Sequence, residues 1–221
     1  MAIVFYGGSG SPYVWRVWLA LEHKGLPYEL RMLSFDRGDL KQPAFVAMNP
    51  RGKVPVIQDG DYVLYESAAI VEYLEDAYPG TGAPLFPDAA RARGLARRMI
   101  READEYLAQS MGDLLEQVLF RPQAQWNDEA IAGARAKLVA ELPGWQRLAS
   151  AATNGAGGFL AGAVGAVDFT VYPFLALALR MQRRRASLEL DAALGPQITA
   201  WMRRVEALPY FDRTYPPHWR G

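Results

Sequence analysis

Residues 53–57 of the chain read KVPVI and residues 66–70 read ESAAI, and these two stretches decide its fold. The first is typical of a β-strand that carries a proline, and a turn and a returning strand connect it to a helix that opens at residues 66–67. Because proline has no N–H group to donate to a sheet, Pro55 is expected at the start, the edge or a bulge of its strand. The bond before Pro55 is also a candidate for the cis form.

A proline in this position leaves the backbone N–H and C=O groups of Val54 without partners in the sheet ladder. Those two groups could pair instead with the backbone of a small peptide. Glu66 and the free N–H groups at the start of the following helix suit the amino and carboxylate ends of such a peptide. The pattern therefore predicts a binding site for a small peptide at these two stretches.

The residues upstream predict a strand, a helix and a second strand. Residues 2–6 favour a strand, and a glycine-rich break precedes a helix that has Ser11 as its N-cap and Pro12 at its first position. The helix is amphipathic and ends at Gly25, and residues 28–33 favour the next strand. With the later hairpin, this order predicts a right-handed crossover and a mixed four-stranded sheet of the thioredoxin-like type.

The second half of the chain has a different pattern. Residues 79–87 are rich in proline and glycine and predict a linker, after which helical periodicity dominates. The sequence therefore predicts an α/β thioredoxin-like domain over residues 1–80 and an all-helical domain over residues 88–221. In the helical domain, Asp168 is expected to be structural, because it can reach back to the backbone N–H of Gly165 at a helix start.

Composition excludes several classes of function. Lys and Arg together number 24, as do Asp and Glu, so the formal net charge is zero and argues against a nucleic-acid partner. There is no run of about 18 apolar residues, which argues against a membrane span. The chain has no cysteine and its two histidines lie far apart in sequence, so no metal site is expected. The amino terminus lacks the features of a signal peptide, and a cytoplasmic location is expected.

Several segments, in their order, resemble the glutathione-binding half of the glutathione S-transferase family: residues 11–17 with 19–22, 24–29, 49–56 and 66–74. The resemblance implies the thioredoxin-like fold, glutathione as co-substrate, a homodimer, and conjugation of the glutathione thiolate to small apolar electrophiles in detoxification. The electrophile is expected between the two domains. Residues that could line its site, although each is more often core, are Tyr13, Phe35, Tyr106, Met111, Phe120 and Trp219.

Within this resemblance, Ser11 matches the serine of serine-type transferases, which follows the first strand at a helix start. Its hydroxyl could donate to the glutathione sulfur, and the helix dipole would favour the thiolate there. Ser11 could also serve only as the helix cap. A cap serine accepts a hydrogen bond while an activating serine donates one, so the two roles are compatible. Ser9 and Tyr6 are the alternative hydroxyls, and Tyr6 is expected to be a residue of the strand end.

The resemblance also implies how the rest of the tripeptide is held. Val54 pairs its backbone with the cysteinyl unit, and Pro55 shapes that turn. Glu66 and Ser67 hold the γ-glutamyl end, with the carboxylate on the ammonium group and the hydroxyl and backbone N–H on the carboxylate. Two lysines could meet the glycyl carboxylate, namely Lys53 and Lys41.

Two other functions fit the same sequence. Ser11 with residues 15–17 (WRV) resembles the maleylacetoacetate isomerase branch of the family, but the chain lacks that branch's cysteine just before WRV. The other is a non-catalytic glutathione-binding or interaction module, against which the joint presence of Ser11, Glu66 and Ser67 argues. Thiol-disulfide exchange by a protein cysteine is excluded, because the chain has none.

Overall fold

The computed structural model describes residues 2–155 and 157–220. The chain divides into two compact units. The first contains the chain up to Phe86 and again from Pro209 onwards, and the second is Pro87–Leu208. None of the helices in the described ranges is long and apolar enough to cross a membrane.

The first unit is built on a mixed four-stranded sheet. Its strands, in chain order, are β1 (Ile3–Gly7), β2 (Tyr28–Met32), β3 (Val56–Asp59) and β4 (Tyr62–Tyr65). Their order in the sheet is β2-β1-β3-β4. Strands β1 and β2 are parallel, whereas β3 is antiparallel to both β1 and β4. The predicted mixed sheet of the thioredoxin-like type is confirmed.

Helix α1 (Pro12–Lys24) connects the two parallel strands, and both of its ends follow the sequence signals. The Ser11 hydroxyl accepts a hydrogen bond from the backbone N–H of Val14 at 3.4 Å. Gly25 ends the helix in the left-handed conformation, at φ 62°, which glycine adopts without the steric cost that a Cβ atom brings.

Helices α2 (Pro43–Met48) and α3 (Ser67–Ala77) complete the first part of this unit, and α3 packs against α1. A buried ion pair joins α1 and α3, in which Lys24 Nζ donates to Glu75 Oε2 at 2.9 Å. The same carboxylate oxygen accepts from the backbone N–H of Leu85 at 3.1 Å. Burial opposes the ionisation of Glu75, but these hydrogen bonds outweigh it and hold the pKa of Glu75 below its usual range.

The second unit is helical. Its helices are α4 (Ala90–Glu102), α5 (Ala108–Leu115), α6 (Asp128–Asn154), α7 (Ala166–Arg184) and α8 (Leu190–Glu206). A π-helical turn joins α4 to α5, and a second one follows α5, at Ala103–Leu107 and Glu116–Phe120 respectively. In the part of this unit that the structure describes, strand pairing is limited to one bridge between Phe159 and Gly162. The predicted helical region is confirmed.

Asp168 holds the start of the buried helix α7, as the sequence predicts. Its Oδ2 accepts from the backbone N–H of Gly165 at 3.1 Å. Its Oδ1 accepts from the backbone N–H of Leu160 at 3.0 Å and from the indole N–H of Trp201 at 2.7 Å. The side chain is fully buried, and burial raises the pKa of Asp168 to about 6 against the opposing effect of these donors.

The carboxyl-terminal residues differ from the predicted division of the chain. Helix α9 (Phe211–Thr214) and the residues after it belong to the first unit, not to the helical one. The ring of Trp15 in α1 packs edge-on against Tyr215 and Trp219, with centroid distances of 5.5 Å in both cases. The Trp15 indole also donates to Thr214 Oγ1 at 2.8 Å. The sequence placed these residues in the helical domain on their periodicity, which does not show which unit an aromatic cluster packs against.

Candidate functional site

The register of the sheet brings the predicted site segments to one end. Tyr6, near the end of β1, pairs with Val56, the first residue of β3. Val56 pairs in turn with Tyr65, the last residue of β4. The loop after β1, the segment that enters β3 and the start of α3 therefore lie side by side.

Ser11 is partly buried at the start of α1. Its Oγ accepts from the Val14 N–H, and its carbonyl oxygen accepts from the Trp15 N–H at 3.0 Å. Both bonds use Ser11 as an acceptor, which leaves the hydroxyl hydrogen to be donated to a ligand. The geometry is thus compatible with both roles predicted for Ser11.

The peptide bond between Val54 and Pro55 is cis, the form for which the sequence made it a candidate. The register pairs of β3 begin at Val56, so the backbone groups of Val54 lie outside the ladder. This is the arrangement that pairing with a peptide backbone requires.

Asn49 supports this turn and is a residue that the sequence interpretation missed. It is buried, and its side-chain amide donates to the carbonyl oxygen of Lys53 at 2.7 Å. Its Oδ1 accepts from the backbone N–H of Arg51 at 3.0 Å. Asparagine before a proline at a turn was the available signal, because its side chain bonds the backbone two residues on.

Glu66 has an unusual backbone conformation, at φ 73° and ψ 106°. Positive φ is uncommon for a residue with a Cβ atom, and such conformations cost about 1–3 kcal/mol and cluster at ligand sites. The Glu66 side chain is exposed, whereas Ser67, the first residue of α3, is 5% exposed. A carboxylate and a helix N-terminus therefore adjoin at this end of the sheet. The sequence predicted both residues but not the strained backbone.

Lys41 and Lys53 are both exposed and lie on neighbouring segments. Lys41 ends a short 3-10 helix, Asp39–Lys41. A Cβ atom added at Gly52 would stand 3.2 Å from the carbonyl oxygen of Leu40, so the two lysine-bearing segments run close together.

Tyr6 is a buried strand residue. Its ring packs against Phe45, and its hydroxyl accepts from Arg31 Nη1 at 3.1 Å. This environment agrees with the expectation that Tyr6 belongs to the strand end. The other alternative hydroxyl, Ser9 Oγ, lies 2.9 Å from His218 Nδ1.

The two histidines contact different residues. The ring of His23 lies within hydrogen-bonding distance of the Tyr210 hydroxyl and of the Pro84 carbonyl oxygen, and His218 contacts Ser9. Within residues 2–155 and 157–220, no group of three or more His, Asp or Glu side chains could hold a metal ion.

The residues proposed to line an electrophile site separate into two groups. Met111 and Trp219 are buried and belong to the cores of their own units, so they are corrected to structural residues. The other four expose large apolar side chains: Tyr13 and Phe35 on the first unit, Tyr106 and Phe120 on the second.

Comparison with known proteins agrees with this fold. The model of the glutathione S-transferase N-terminal domain matches residues 10–77. The chain is similar to glutathione S-transferase A of Pleuronectes platessa, with 32% identity across 96% of this chain and 90% of that protein.

Two solved structures are similar over nearly the whole chain. A glutathione S-transferase from the Antarctic clam Laternula elliptica has a TM-score of 0.83 at 28% identity, covering 100% of this chain and 94% of that one. The theta class enzyme of Xanthomonas axonopodis pv. citri, solved with glutathione bound, has a TM-score of 0.79 at 28% identity, covering 96% of each chain. The sheet is of the thioredoxin-like type, the second unit is helical, and a 32% identical relative matches 96% of this chain, so the chain belongs to the glutathione S-transferase family.

Proposed function

We propose that this protein conjugates the thiolate of glutathione to small hydrophobic electrophiles and that Ser11 stabilises the thiolate. The observation that supports this most strongly is the register of Tyr6, Val56 and Tyr65. It puts the loop of Ser11, the backbone of Val54 and the start of α3 next to one another.

The spacing of the strands suits an extended tripeptide. Adjacent strands lie about 4.8 Å apart, so β1 and β4, with β3 between them, are separated by about 10 Å. An extended peptide rises about 3.3 Å per residue, so a tripeptide also spans about 10 Å. Glutathione lying across the strand ends would reach from Glu66 to the loop of Ser11, with its cysteinyl backbone beside Val54.

The charges of the site suit the two ends of glutathione. At the γ-glutamyl end, the Glu66 carboxylate pairs with the ammonium group. The Ser67 hydroxyl and the N–H groups at the start of α3 bind the carboxylate, which the helix dipole also favours. At the glycyl end, Lys53 and Lys41 supply positive charge for the second carboxylate.

The chemistry depends on ionisation of the glutathione thiol. A thiol with a pKa of about 8.5 is only about 3% thiolate at pH 7. A hydrogen bond from Ser11 and the N-terminus of α1 both favour the thiolate. Because nucleophilicity falls with pKa, with a slope of about 0.4–0.5, this ionisation gives only a few-fold gain in rate. Positioning the sulfur beside the electrophile supplies the larger part of the rate gain. The exposed side chains of Tyr13 and Phe35 offer the electrophile an apolar surface.

A homodimer and a cytoplasmic location are also part of the proposal, both on the strength of family membership. Light scattering after size-exclusion chromatography should give twice the mass of one chain. Isomerisation and a non-catalytic role are less favoured. The relative from Pleuronectes platessa, which matches 96% of this chain, is named a transferase. The cysteine of the isomerase branch is also absent.

The test combines titration calorimetry with glutathione and conjugation to chlorodinitrobenzene, in which the sulfur bonds to the ring carbon and chloride leaves. Three variants separate the roles of Ser11. Ser11→Thr keeps an acceptor and a donor, Ser11→Asp keeps only the cap acceptor, and Ser11→Ala removes both. Loss of the Ser11 hydrogen bond should cost only a few-fold through ionisation of the thiol, but the same bond also positions the sulfur, and a displacement of about 1 Å can cost about 100-fold. The kcat should therefore fall about 10- to 100-fold in the Ala and Asp variants. Ser11→Ala alone should also lose about 1 kcal/mol of stability with the cap.

Each result that contradicts the proposal points to a different alternative. Full activity of Ser11→Asp would reduce Ser11 to a helix cap. Absence of heat with millimolar glutathione would refute glutathione binding itself. Binding without turnover of any electrophile would identify a binding module, and turnover of a maleyl substrate alone would identify an isomerase.

A further inference from the structure

The carboxyl-terminal segment contacts the loop that carries Ser11. His218 Nδ1 lies 2.9 Å from Ser9 Oγ. Gly10 has φ +85°, and a Cβ atom added there would stand 3.1 Å from both Cε1 and Nε2 of His218. The same Cβ atom would stand 3.3 Å from Nε1 of Trp219. The imidazole ring therefore packs on the two residues that precede Ser11.

Trp219 ties this contact to the helix that begins after Ser11. It is buried, and its ring packs edge-on against Trp15 at a centroid distance of 5.5 Å. The backbone N–H of Trp15 donates to the carbonyl oxygen of Ser11 at 3.0 Å, and its indole donates to Thr214 at 2.8 Å. The carboxyl-terminal segment thus holds both the loop and the first turn of α1.

The residues that follow β2 also pack on this loop. The backbone N–H of Leu33 donates to the carbonyl oxygen of Gly7 at 2.7 Å. A Cβ atom added at Gly8 would stand 2.5 Å from the Phe35 ring. A segment whose composition is that of a flexible linker is therefore in contact with two separate parts of the first unit.

We propose that His218 is a positioning residue for the thiol chemistry, acting through Ser9 and the backbone of Gly10 to aim the Ser11 hydroxyl at the glutathione sulfur. The inference rests on the proposed function of Ser11. Ordering one backbone residue costs about 1–2 kcal/mol. The loop between β1 and Ser11 contains Gly8 and Gly10, so contacts such as those of His218 are needed to hold it in one conformation. A displacement of about 1 Å at a reacting group can cost about 100-fold in rate.

The position of His218 predicts which kinetic constant changes when its contact is lost. His218 contacts the loop that carries Ser11, whereas the peptide backbone and its charged end would be held by Val54, Glu66 and Ser67. Loss of its contact should therefore lower kcat about tenfold while KM for glutathione stays within about twofold. The thiolate absorbance of the glutathione complex at pH 7 should fall as well.

The variants are His218→Leu, His218→Asn and Ser9→Ala. The control is Arg220→Ala in the same segment, because Arg220 bonds to Asp212 and stacks on Tyr215. Asparagine puts a polar atom as many bonds from the backbone as Nδ1, so His218→Asn should recover most of kcat. Ser9→Ala should resemble His218→Leu, and the double variant should be no slower than either single one, because the two side chains act as a unit.

The outcomes separate the inference from the function on which it rests. A wild-type protein that neither binds nor turns over glutathione refutes the proposed function. If the wild type is active and Ser11→Ala lowers kcat, but His218→Leu and Ser9→Ala do not, only the role of His218 is refuted. A rise in KM at constant kcat also refutes it. If His218→Leu does not fold by circular dichroism, the Ser9→Ala variant decides alone.

Discussion

Replacing Asp168 by asparagine should change how stability depends on pH. The carboxyl group is fully buried and receives three N–H donors, from Leu160, Gly165 and Trp201. Burial raises its pKa from 3.8 to about 6 in spite of these donors. Each pKa unit is worth about 1.4 kcal/mol, so the rise corresponds to about 3 kcal/mol.

The sign follows from proton binding. Between about pH 4 and pH 6 the folded state holds the Asp168 proton while the unfolded chain has released it, so the free energy of unfolding falls as pH rises. The contribution is fully present below about pH 4 and is lost as pH rises through 6. Asparagine cannot titrate, so wild type should gain about 3 kcal/mol over Asp168→Asn when the pH is lowered from 7 to 4. The free energy of unfolding of Asp168→Asn should also be lower by about 1–3 kcal/mol at every pH. The reason is that the asparagine NH2 group would face the backbone N–H of Gly165, and neither group can accept a hydrogen bond.

The assay is urea unfolding of both proteins at pH 4, 5, 6 and 7, with the difference in unfolding free energy plotted against pH. All other carboxyl groups are common to the two proteins and cancel in that difference. Trp201→Phe removes one donor to the carboxylate and should move the transition to higher pH. A difference that stays flat, or a variant that gains on acidification, would mean that the donors outweigh burial and that the reasoning is wrong.

Two further predictions concern the first unit. Glu66→Gly should raise the free energy of unfolding by about 1 kcal/mol, because glycine tolerates the φ of 73°. Calorimetry should show that the same variant binds glutathione more weakly. A loss of stability would refute the backbone strain at Glu66. Glu75→Gln should cost about 3–5 kcal/mol in urea unfolding, because it leaves the buried ammonium group of Lys24 without a counter-charge. Adding Lys24→Met should recover most of that loss, since glutamine still accepts from the Leu85 amide. A double variant less stable than the single one would contradict this account.

Much of the fold was predictable because its signals are local. Ser11, Pro12 and Gly25 mark the ends of α1 through their own backbone preferences, and the structure has the helix where they put it. The proline of residues 53–57 and the hairpin after it predicted two neighbouring strands, and the structure pairs them in the row where the site segments meet. Ser11, Val54, Glu66 and Ser67 could therefore be named from the sequence, although their roles toward glutathione stay predictions.

The remainder depends on contacts between residues far apart in the chain. The conformation of Glu66 is imposed by the structure around it, because no local preference favours positive φ for glutamate. The approach of His218 to Ser9 joins residues 209 positions apart, and no sequence period reports it. Trp219 was eligible for an electrophile site on its chemistry, but its burial against Trp15 makes it core.

The glycines before Ser11 have a packing role that composition does not show. A Cβ atom at Gly7 would stand 2.9 Å from the Val14 side chain, and those at Gly8 and Gly10 would meet Phe35 and His218. Glycine is needed at these positions because other groups approach the backbone closely, so the loop is packed where a linker would be loose. If packing is what aims the Ser11 hydroxyl, substitution of His218 should change the rate of conjugation without any contact with glutathione. The kinetic constants of such a variant show whether the fold orders the loop in advance or glutathione orders it on binding. Only in the first case should KM stay constant while kcat falls.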